Sequence, residues 1–431
     1  MKRNTLILPY TEVSESQILQ WAQQQQHFLL LNPNDYRLKA DFSSFEKIFA
    51  VGSRAHIEVP ANTDGQSRPF EQIRKFHEQH QDWLFGHLNY DLKNELEDLQ
   101  SRHPAKTAFP NLHFFVPESL FFFEAHHVRL ETYSDSSKLK AEILSTNLPA
   151  TRPLNPVVFQ AQTTKSAYLQ TISSLKEHIR QGDFYEINFC QEFTAEGVSI
   201  DPLQTYQALN AMSPMPFSAF YRLKEQYAIG ASPERFIKKE GRKVISQPIK
   251  GTSRRRTDPK KDAQQKAYLV NSDKEIAENM MIVDLVRNDL AQTATYGSVK
   301  VPELFKVYSF PQVHQLISTI TAEQRKGTHW SDIIEKAFPM GSMTGAPKIS
   351  VMNHADRYEN GRRELYAGTI GYITPEGDFD FNVVIRTLFY NTENHQANYW
   401  VGGAITIDSD AEAEYAECML KAKAIQSIFK N

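Results

Sequence analysis

Strand-like segments in the second half of the chain often follow one another with no helix between them. They cover residues 217–223, 226–231, 243–249, 365–373, 379–389 and 398–407. Residues 262–290 and 410–429 have helical character instead, and Ser409 with Glu412 predicts a capping box at the start of the second helix. Parallel strands need a long crossover, usually a helix, between each pair. The pattern therefore predicts an α+β fold with an antiparallel or mixed sheet, not a doubly wound parallel sheet.

A proline cluster suggests how the chain is divided. Pro149, Pro153 and Pro156 lie close together, and a helix cannot continue through such a stretch. We predict a boundary there, between an N-terminal α+β region (residues 1–150) that contributes to the sheet and a second region (residues 151–431) that carries the chemistry. The first region contains mixed strand and helix patterns and few chemically suggestive motifs.

Charge and cysteine content exclude several classes of protein. The 431 residues include 48 Lys and Arg against 51 Asp and Glu, a formal net charge of -3, so neither nucleic acid nor an anionic membrane is an expected partner. Only Cys190 and Cys418 are present, which excludes a disulfide framework and fits a reducing compartment. No apolar run approaches the roughly 18 residues of a membrane span, and the N-terminal run is too short for a signal peptide. We expect a cytoplasmic protein.

Two acidic pairs share one spacing. Glu275 and Glu278 are three residues apart in one predicted helix, and Glu414 and Glu417 repeat that spacing in the other. Each pair therefore lies on one helical face. If the faces converged, four carboxylates would repel one another unless a cation neutralised them, and an all-oxygen set suits Mg²⁺. Two solvated helix faces would show the same spacing, so spacing alone leaves both interpretations open.

Three further positions could carry chemistry. Lys250 and Gly251 lie in Pro248-Ile249-Lys250-Gly251-Thr252, where the lysine is an exposed strand end, an anion anchor or, if burial lowers its pKa, a nucleophile. Glu234 lies in a polar turn, as a simple turn residue or as a general acid with a raised pKa. Arg386 lies in an apolar run, where a buried guanidinium needs a carboxylate or phosphate partner from the protein or from a ligand.

A series of motifs in order along the second region resembles a known family. They are Gly182-Asp183-Phe184-Tyr185 with Asn188, Ser232-Pro233-Glu234-Arg235-Phe236, Pro248 to Thr252, Ala277-Glu278-Asn279 leading into residues 281–289, Gly345-Ala346-Pro347-Lys348, Ile385-Arg386-Thr387 and Glu414-Tyr415-Ala416-Glu417. Together they resemble the chorismate-utilising enzymes, which include anthranilate synthase component I, aminodeoxychorismate synthase component I and the isochorismate and salicylate synthases. The resemblance implies an anthranilate synthase component I-like fold, a large two-layer β-sandwich of antiparallel or mixed strands flanked by helices.

Lys250 indicates a branch of this family. A lysine at that position resembles the aminodeoxychorismate synthases, whereas anthranilate synthases usually carry alanine there. The resemblance implies a transaminase-type amination of chorismate to 4-amino-4-deoxychorismate, in p-aminobenzoate and folate biosynthesis. It implies that Lys250 adds covalently to C2 of chorismate with Glu234 as general acid, and that a glutamine amidotransferase subunit supplies ammonia. The alternatives are anthranilate synthase component I and a catalytically silent regulatory paralogue.

The resemblance also implies the remaining site residues. Glu278 and Glu417 would bind Mg²⁺ directly, Glu275 and Glu414 would hold its waters, and Lys421 would assist. The groups expected around chorismate are Tyr366 and Arg386, the backbone amides of Gly402, Gly403 and Ala404, and Gly251 with Thr252.

Two positions depart from the family pattern. A histidine usually precedes the segment that begins at Leu316, but here that position is Gln315 and His314 lies one residue earlier. Either residue could bind the substrate there, His314 through a local shift or Gln315 by neutral hydrogen bonding. Ala404 replaces a usual glycine, and because its backbone amide remains, we expect little loss.

Overall fold

The computed structural model describes residues 3–34, 46–61, 67–150 and 153–429. The strands in these ranges are β1 Asn4–Pro9, β2 His27–Asn32, β3 Ile48–Val59, β4 Leu84–Leu88, β5 Leu112–Phe123, β6 His127–Thr132, β7 Gln160–Ala161, β8 Glu186–Ala195, β9 Phe217–Leu223, β10 Gln226–Ser232, β11 Arg235–Glu240, β12 Lys243–Gln247, β13 Ile249–Arg254, β14 Lys300–Ser309, β15 Val313–Glu323, β16 Gly345–Ala346, β17 Thr369–Ile373, β18 Phe379–Asn382, β19 Thr387–Asn391 and β20 Gln396–Ile405. The helices are α1 Glu15–Ala22, α2 Pro69–His80, α3 Lys93–Leu96, α4 Ser136–Leu144, α5 Lys165–Gln181, α6 Pro202–Met212, α7 Pro259–Asn271, α8 Asp273–Ala291, α9 Trp330–Ala337, α10 Lys348–Tyr358 and α11 Ala411–Gln426.

The long strand β5 joins two arms of one antiparallel sheet. It pairs with β3 along one edge and with β4 and β6 along the other. One arm continues from β3 through β2, β9, β10, β19 and β20 to β8. The other continues from β4 through β17, β18, β11 and β12 to β15, which also pairs with β13 and β14. The predicted antiparallel α+β architecture is confirmed.

The sheet has an apolar core on each face. Adjacent residues of β2 enter different cores, Leu29 one and Phe28 the other, because successive strand side chains point to opposite faces. The first core contains Tyr221 from one arm and Phe381 from the other, so it lies between the arms. The second contains helix residues such as Ile172 of α5. The result is a two-layer sandwich flanked by helices, as predicted.

The structure has two helices where the sequence predicted one. Residues 262–290 form α7 and α8, which are separated at Ser272. Ser272 is extended, with φ -85° and ψ 110°, and its side chain accepts a hydrogen bond from the Glu275 backbone N–H. A serine with this geometry caps a new helix. Glu275 therefore lies in the first turn of α8, where the helix dipole favours a negative charge.

The predicted capping box of the last helix is wrong. The N-cap of α11 is Asp410, whose side chain accepts the N–H of Ala413. Aspartate caps as well as serine does, and the Ser409 hydroxyl instead donates to Glu414 Oε1 at 2.9 Å. This contact helps to fix the position of one of the predicted metal-site acids.

The strand pairing continues across the predicted boundary near residue 150. Strand β2 pairs with β9, and β4 pairs with β17. Residues 151–152 lie outside the described residues, and the division into two regions stays a prediction. No helix within the described ranges is both long and apolar enough to cross a membrane.

Candidate active site

The two predicted acidic pairs meet through a lysine. Lys274 of α8 donates a hydrogen bond to Glu414 Oε1 of α11 at 2.8 Å, and its Nζ lies 3.8 Å from Glu278 Oε1. On the far side of the pair, Lys421 Nζ lies 2.9 Å from Glu417 Oε1. We call Glu275, Glu278, Glu414 and Glu417 the acidic cluster. Helices that are far apart in the chain thus bring these carboxylates into one region.

The charges in the acidic cluster influence one another. Burial raises the pKa of Glu278 to about 7. Burial also raises the pKa of Glu275, and the charge of Glu417 adds to this effect. The pKa of Glu417 is lowered, chiefly by Lys421. A carboxyl group with a raised pKa next to other acids is a typical consequence of assembling a site for a cation.

The donor set fits a hard divalent cation. Glu278 Oε1 is buried and accepts no hydrogen bond within the described protein, and all four side chains offer oxygen, the donor that Mg²⁺ prefers. Among the described residues, no three carboxylate oxygens of the cluster lie within 4.8 Å of one another. The ammonium groups of Lys274 and Lys421 neutralise part of the negative charge there.

Two strands approach the acidic cluster at glycines, and at Gly251 the approach is too close for a side chain. Gly251 has φ +92°, and a Cβ placed on it would lie 2.7 Å from Glu275 Oε2. A Cβ on Gly403 would lie 3.6 Å from Glu414 Oε2 and 3.8 Å from Lys421 Nζ. Strands β13 and β20 therefore border the cluster from two sides.

We predict that Gly251→Ala is less stable than the native chain by about 1–3 kcal/mol and needs more Mg²⁺ for activity, because it strains the backbone and displaces Glu275. The matched control is Gly297→Ala, which has φ +72° but no atom within 4 Å of the added Cβ. It should lose stability from backbone strain alone. Chemical denaturation and Mg²⁺ titration of both variants measure the two effects. Equal Mg²⁺ requirements in the two variants would contradict the contact with Glu275.

Lys250 is buried beside a carboxylate. Its Nζ donates to Glu186 Oε1 at 2.7 Å, and Asn279 of α8 donates to the Lys250 backbone carbonyl at 3.3 Å. Burial acts to lower the pKa of Lys250, but the charges of Glu186, Glu278 and Glu234 outweigh it, so the pKa is raised. The hypothesis that burial lowers this pKa is wrong for this arrangement. Lys250 is an ammonium and must lose a proton before it can act as a nucleophile.

Glu186 lies in the candidate active site and is not among the site residues predicted from the sequence. In the sequence, residues 185–189 alternate apolar and polar positions in the way that a strand does, and Glu186 is one of the polar positions. In the structure Glu186 is only 1% exposed and Asn188 only 6%, so both faces of β8 are buried here. Glu186 Oε2 accepts no hydrogen bond from described residues. The sequence signal that could have identified Glu186 is the pair of polar side chains, Glu186 and Asn188, two residues apart on one face of the strand.

Glu234 is held in a rigid turn between β10 and β11. Its neighbour Arg235 makes two 2.9 Å hydrogen bonds to the Asp380 carboxylate, and the Val383 N–H donates to the Glu234 carbonyl at 3.0 Å. Burial raises the pKa of Glu234 to about 7, against the opposing influence of Ser342 and Lys250. A carboxyl group protonated near neutral pH and fixed in place can act as a general acid.

Arg386 interrupts the predicted strand 379–389. It has φ +51° and lies between β18 and β19. Its Nη1 lies 3.9 Å from Met215 Sδ, and no Asp or Glu in the described ranges forms an ion pair with it. Burial lowers the pKa of Arg386 to about 10, with Glu234 opposing. The predicted anionic partner is therefore not a described protein side chain, which leaves the guanidinium for a ligand.

Tyr366 lies deep in the same region. Its hydroxyl is 3.5 Å from Cys190 Sγ, and its ring stacks on Trp400 at a centroid distance of 5.8 Å. Gly402 is the partner of Cys190 in the β20–β8 pairing. Cys190 thus contacts the Tyr366 hydroxyl and is also the strand partner of Gly402. A contact between Tyr366 and a ligand stays a prediction.

The backbone of residues 402–404 lies along an incompletely paired edge. Strand β8 pairs with the whole of this segment, whereas β19 pairs with β20 only as far as Tyr399. Lys421 Nζ donates to the Gly402 carbonyl at 2.8 Å. Beyond Tyr399, backbone groups on the β19 side have no strand partner among the described residues, which fits the predicted role of amides from Gly402, Gly403 and Ala404.

The structure distinguishes His314 from Gln315. The His314 ring lies 2.8 Å from Ser309 Oγ of β14 and 3.2 Å from Asp262 Oδ1 of α7, so both ring nitrogens have protein partners. Gln315 is 2% exposed, and its Oε1 accepts no hydrogen bond from described residues. Thr252 is opposite Gln315 in the β13–β15 pairing. Gln315 is therefore the residue of the two with an available polar atom.

Comparisons with known proteins agree with this architecture. The chain is 38% identical over 345 residues to aminodeoxychorismate synthase component 1 of Escherichia coli strain K12, covering 79% of this chain and 75% of that protein. It is 33% identical over 374 residues to anthranilate synthase component 1 of Bacillus pumilus, covering 79% and 71%. Its structure is similar to that of anthranilate synthase component I from Streptococcus pneumoniae, with a TM-score of 0.78, 25% identity and coverage of 91% and 94%.

The family model described as chorismate binding enzyme matches residues 26–427. That range contains every residue of the candidate active site, from Glu186 to Lys421. The chain belongs to the family of chorismate binding enzymes.

Proposed function

We propose that the chain converts chorismate and ammonia to 4-amino-4-deoxychorismate, a transaminase-type amination on the route to p-aminobenzoate, in the cytoplasm. The observation that carries the proposal is the buried Lys250, within hydrogen-bond distance of Glu186 and close enough to Glu234 for their charges to interact. A nucleophile, a proton acceptor and a proton donor are thus held together. The relatives named aminodeoxychorismate synthase support the same reaction.

The first step joins Lys250 to the substrate. Lys250 passes a proton to Glu186, and its Nζ lone pair forms a bond to C2 of chorismate. Both ring double bonds shift, from C1=C2 and C5=C6 to C1=C6 and C4=C5, the C4–O bond breaks, and Glu234 donates a proton so that the 4-hydroxyl leaves as water. A positioned amine replaces a direct displacement at C4 by two allylic displacements.

The second step releases Lys250. Ammonia forms a bond to C4, both ring double bonds shift back, and the C2–N bond breaks with its electron pair returning to Lys250 Nζ. Glu186 returns the proton to Lys250, and Glu234 is reprotonated from solvent. The product keeps the enolpyruvyl group and carries an ammonium at C4, so atoms and charge balance for chorismate and ammonium giving product and water.

Other residues bind and orient the substrate. Arg386 would take one carboxylate of chorismate, with Tyr366 and the amides of residues 402–404, while Gly251, Thr252 and Gln315 would line the remaining wall. The acidic cluster fits Mg²⁺, held directly by Glu278 and Glu417 and through waters by Glu275 and Glu414. The bound ion would neutralise the ring carboxylate of the substrate, and Lys421 would assist.

A second subunit is part of the proposal. The name of the Escherichia coli relative, aminodeoxychorismate synthase component 1, implies a further component for that protein. For this chain we propose a glutamine amidotransferase partner that supplies ammonia. The purified chain should then use ammonium salts alone and should use glutamine only when that partner is added.

Product analysis tests the proposal. The purified chain is incubated with chorismate, Mg²⁺ and ammonium, and the products are separated and weighed by mass spectrometry. 4-Amino-4-deoxychorismate is the expected product. Anthranilate, which lacks the enolpyruvyl group, would show an anthranilate synthase component I instead, and unchanged chorismate would show a silent paralogue.

We predict that Glu417→Gln raises the Mg²⁺ concentration for half-maximal activity by roughly tenfold or more, because the ion loses a charged oxygen ligand. The matched control is Glu412→Gln on the same helix, where Glu412 forms an exposed pair with Lys165 at 2.8 Å. Product formation is measured over a series of Mg²⁺ concentrations. Identical curves for the two variants would remove Glu417 from the proposed metal site.

A further inference from the structure

Two histidines and one aspartate meet outside the candidate active site. His178 is in the last turn of α5, Asp183 follows that helix, and His354 lies on α10. One ligand atom from each residue lies within 4.8 Å of the other two. Across residues 3–34, 46–61, 67–150 and 153–429, this is the one set of three His, Cys, Asp or Glu side chains with that spacing. We call it the His–Asp–His cluster.

The end of α5 places the aspartate beside the first histidine. Gly182 has φ +85°, and the N–H of Asp183 donates to the His178 carbonyl at 3.1 Å. This left-handed reversal closes the helix and leaves Asp183 Oδ2 2.7 Å from His178 Nδ1. Ser350 of α10 donates to the Asp183 carbonyl at 2.8 Å, which holds the second helix against the turn.

Hydrogen bonds to the far ring nitrogens orient both histidines. His354 Nδ1 lies 2.8 Å from the Ser350 carbonyl, and because a carbonyl only accepts, Nδ1 carries the proton. In the neutral ring, Nε2 then carries no proton and has a lone pair available for a metal. This Nε2 lies 4.0 Å from Asp183 Oδ2. His178 Nε2 lies 2.8 Å from Tyr358 OH. Metal-bound histidines are usually fixed in this way, through the nitrogen that does not bind the metal.

We propose that the His–Asp–His cluster binds one divalent transition-metal ion of the zinc class. The ligands would be His178 Nδ1, His354 Nε2 and Asp183 Oδ2, two imidazoles and a carboxylate, a set that suits Zn²⁺ far better than Mg²⁺. The side chain of Asp183 is 42% exposed, and those of His178 and His354 are 20% and 17% exposed. Solvent can therefore complete a four-coordinate site.

The position of the cluster gives the ion a structural role. Tyr185 donates its N–H to the Ala346 carbonyl at 2.8 Å, and Ala346 pairs with Glu186 at the start of β8. An ion bound by α5, the following turn and α10 ties together the two segments that bracket Glu186. The site is separate from the acidic cluster, and the inference does not depend on the proposed function.

Metal titration of a chain without a polyhistidine tag tests the inference. Co²⁺ is added in the presence of excess Mg²⁺, which competes with Co²⁺ for carboxylate-only sites. The visible absorption of nitrogen-bound Co²⁺ is followed, and Zn²⁺ is then added as a competitor. We expect one equivalent to bind, Zn²⁺ to displace Co²⁺, and Zn²⁺ to raise the thermal unfolding temperature. His178→Ala and His354→Ala should each weaken binding by at least about 100-fold.

The control is His126→Ala, an exposed histidine in the turn between β5 and β6, which should bind as the native chain does. Circular dichroism checks that each variant is folded. If a histidine variant does not fold, Asp183→Asn replaces it as the test of binding. Absence of saturable binding by the native chain would overturn the inference. So would binding that is unchanged in all the cluster variants.

Discussion

Lys250→Ala is expected to lower the rate of ammonia-dependent formation of 4-amino-4-deoxychorismate by at least about 10³-fold. The variant lacks the nucleophile, so the first allylic displacement cannot occur. The native chain, mixed with chorismate and Mg²⁺ without ammonia, should gain mass from a covalent adduct, and the variant should not. Product formation and intact-protein mass are measured on the same samples.

Loss of stability has to be separated from loss of chemistry in this variant. Removing Lys250 leaves Glu186 as a buried carboxylate without its cation, which costs about 3–5 kcal/mol. The double variant Lys250→Ala, Glu186→Gln removes that charge, so it should be more stable than the single variant and still inactive. Lys300→Ala, at an exposed position of β14, is the control and should keep full activity. A folded Lys250 variant with native activity would refute the covalent route.

Glu234→Gln is expected to lower activity by about 10²- to 10⁴-fold. The amide has the size of the carboxyl group but cannot donate its proton to the leaving hydroxyl. Glu240→Gln, at the exposed end of β11, is the matched control and should be active. Thermal unfolding of both variants checks that the turn held by Arg235 and Asp380 is intact. Native turnover by a folded Glu234→Gln would exclude it as the general acid.

The pH dependence of kcat/KM gives an independent test of Glu234. Burial raises its pKa to about 7, and the protonated form is the one that donates. That form predominates below pH 7 and falls tenfold for each pH unit above it, so kcat/KM should decrease as the pH rises through about 7. The concentration of unprotonated ammonia is held constant across the series. The decrease should vanish in Glu234→Gln, and a decrease of the same shape in that variant would assign it to another group.

In the proposed mechanism, Lys250 and Glu234 have opposite protonation requirements. Lys250 must lose a proton, yet neighbouring acids raise its pKa. Glu234 must keep one, and its burial provides for that. We propose that Glu186, at 2.7 Å from Lys250, meets the first requirement by accepting the proton when substrate arrives. Binding a cation at the acidic cluster would also weaken the negative field around Lys250.

Much of the site could be predicted from the sequence because it depends on local order. Residue types and spacings along the chain indicated the antiparallel α+β fold, the acidic pairs on two helices, Lys250 at a strand end and Glu234 in a turn. Side-chain periodicity assigns residues to faces of helices and strands without any knowledge of their neighbours. The ordered motifs then indicated the family, which the match over residues 26–427 confirms.

Only the tertiary structure decided which faces meet. Glu186 is 64 positions from its partner Lys250, and Lys274 is 140 positions from Glu414, distances over which spacing carries no information. The sequence likewise could not determine the protonation state of Lys250 or distinguish between His314 and Gln315. A pKa or an unfilled hydrogen bond depends on the charges and the solvent around a group, and these come from segments that only folding brings together.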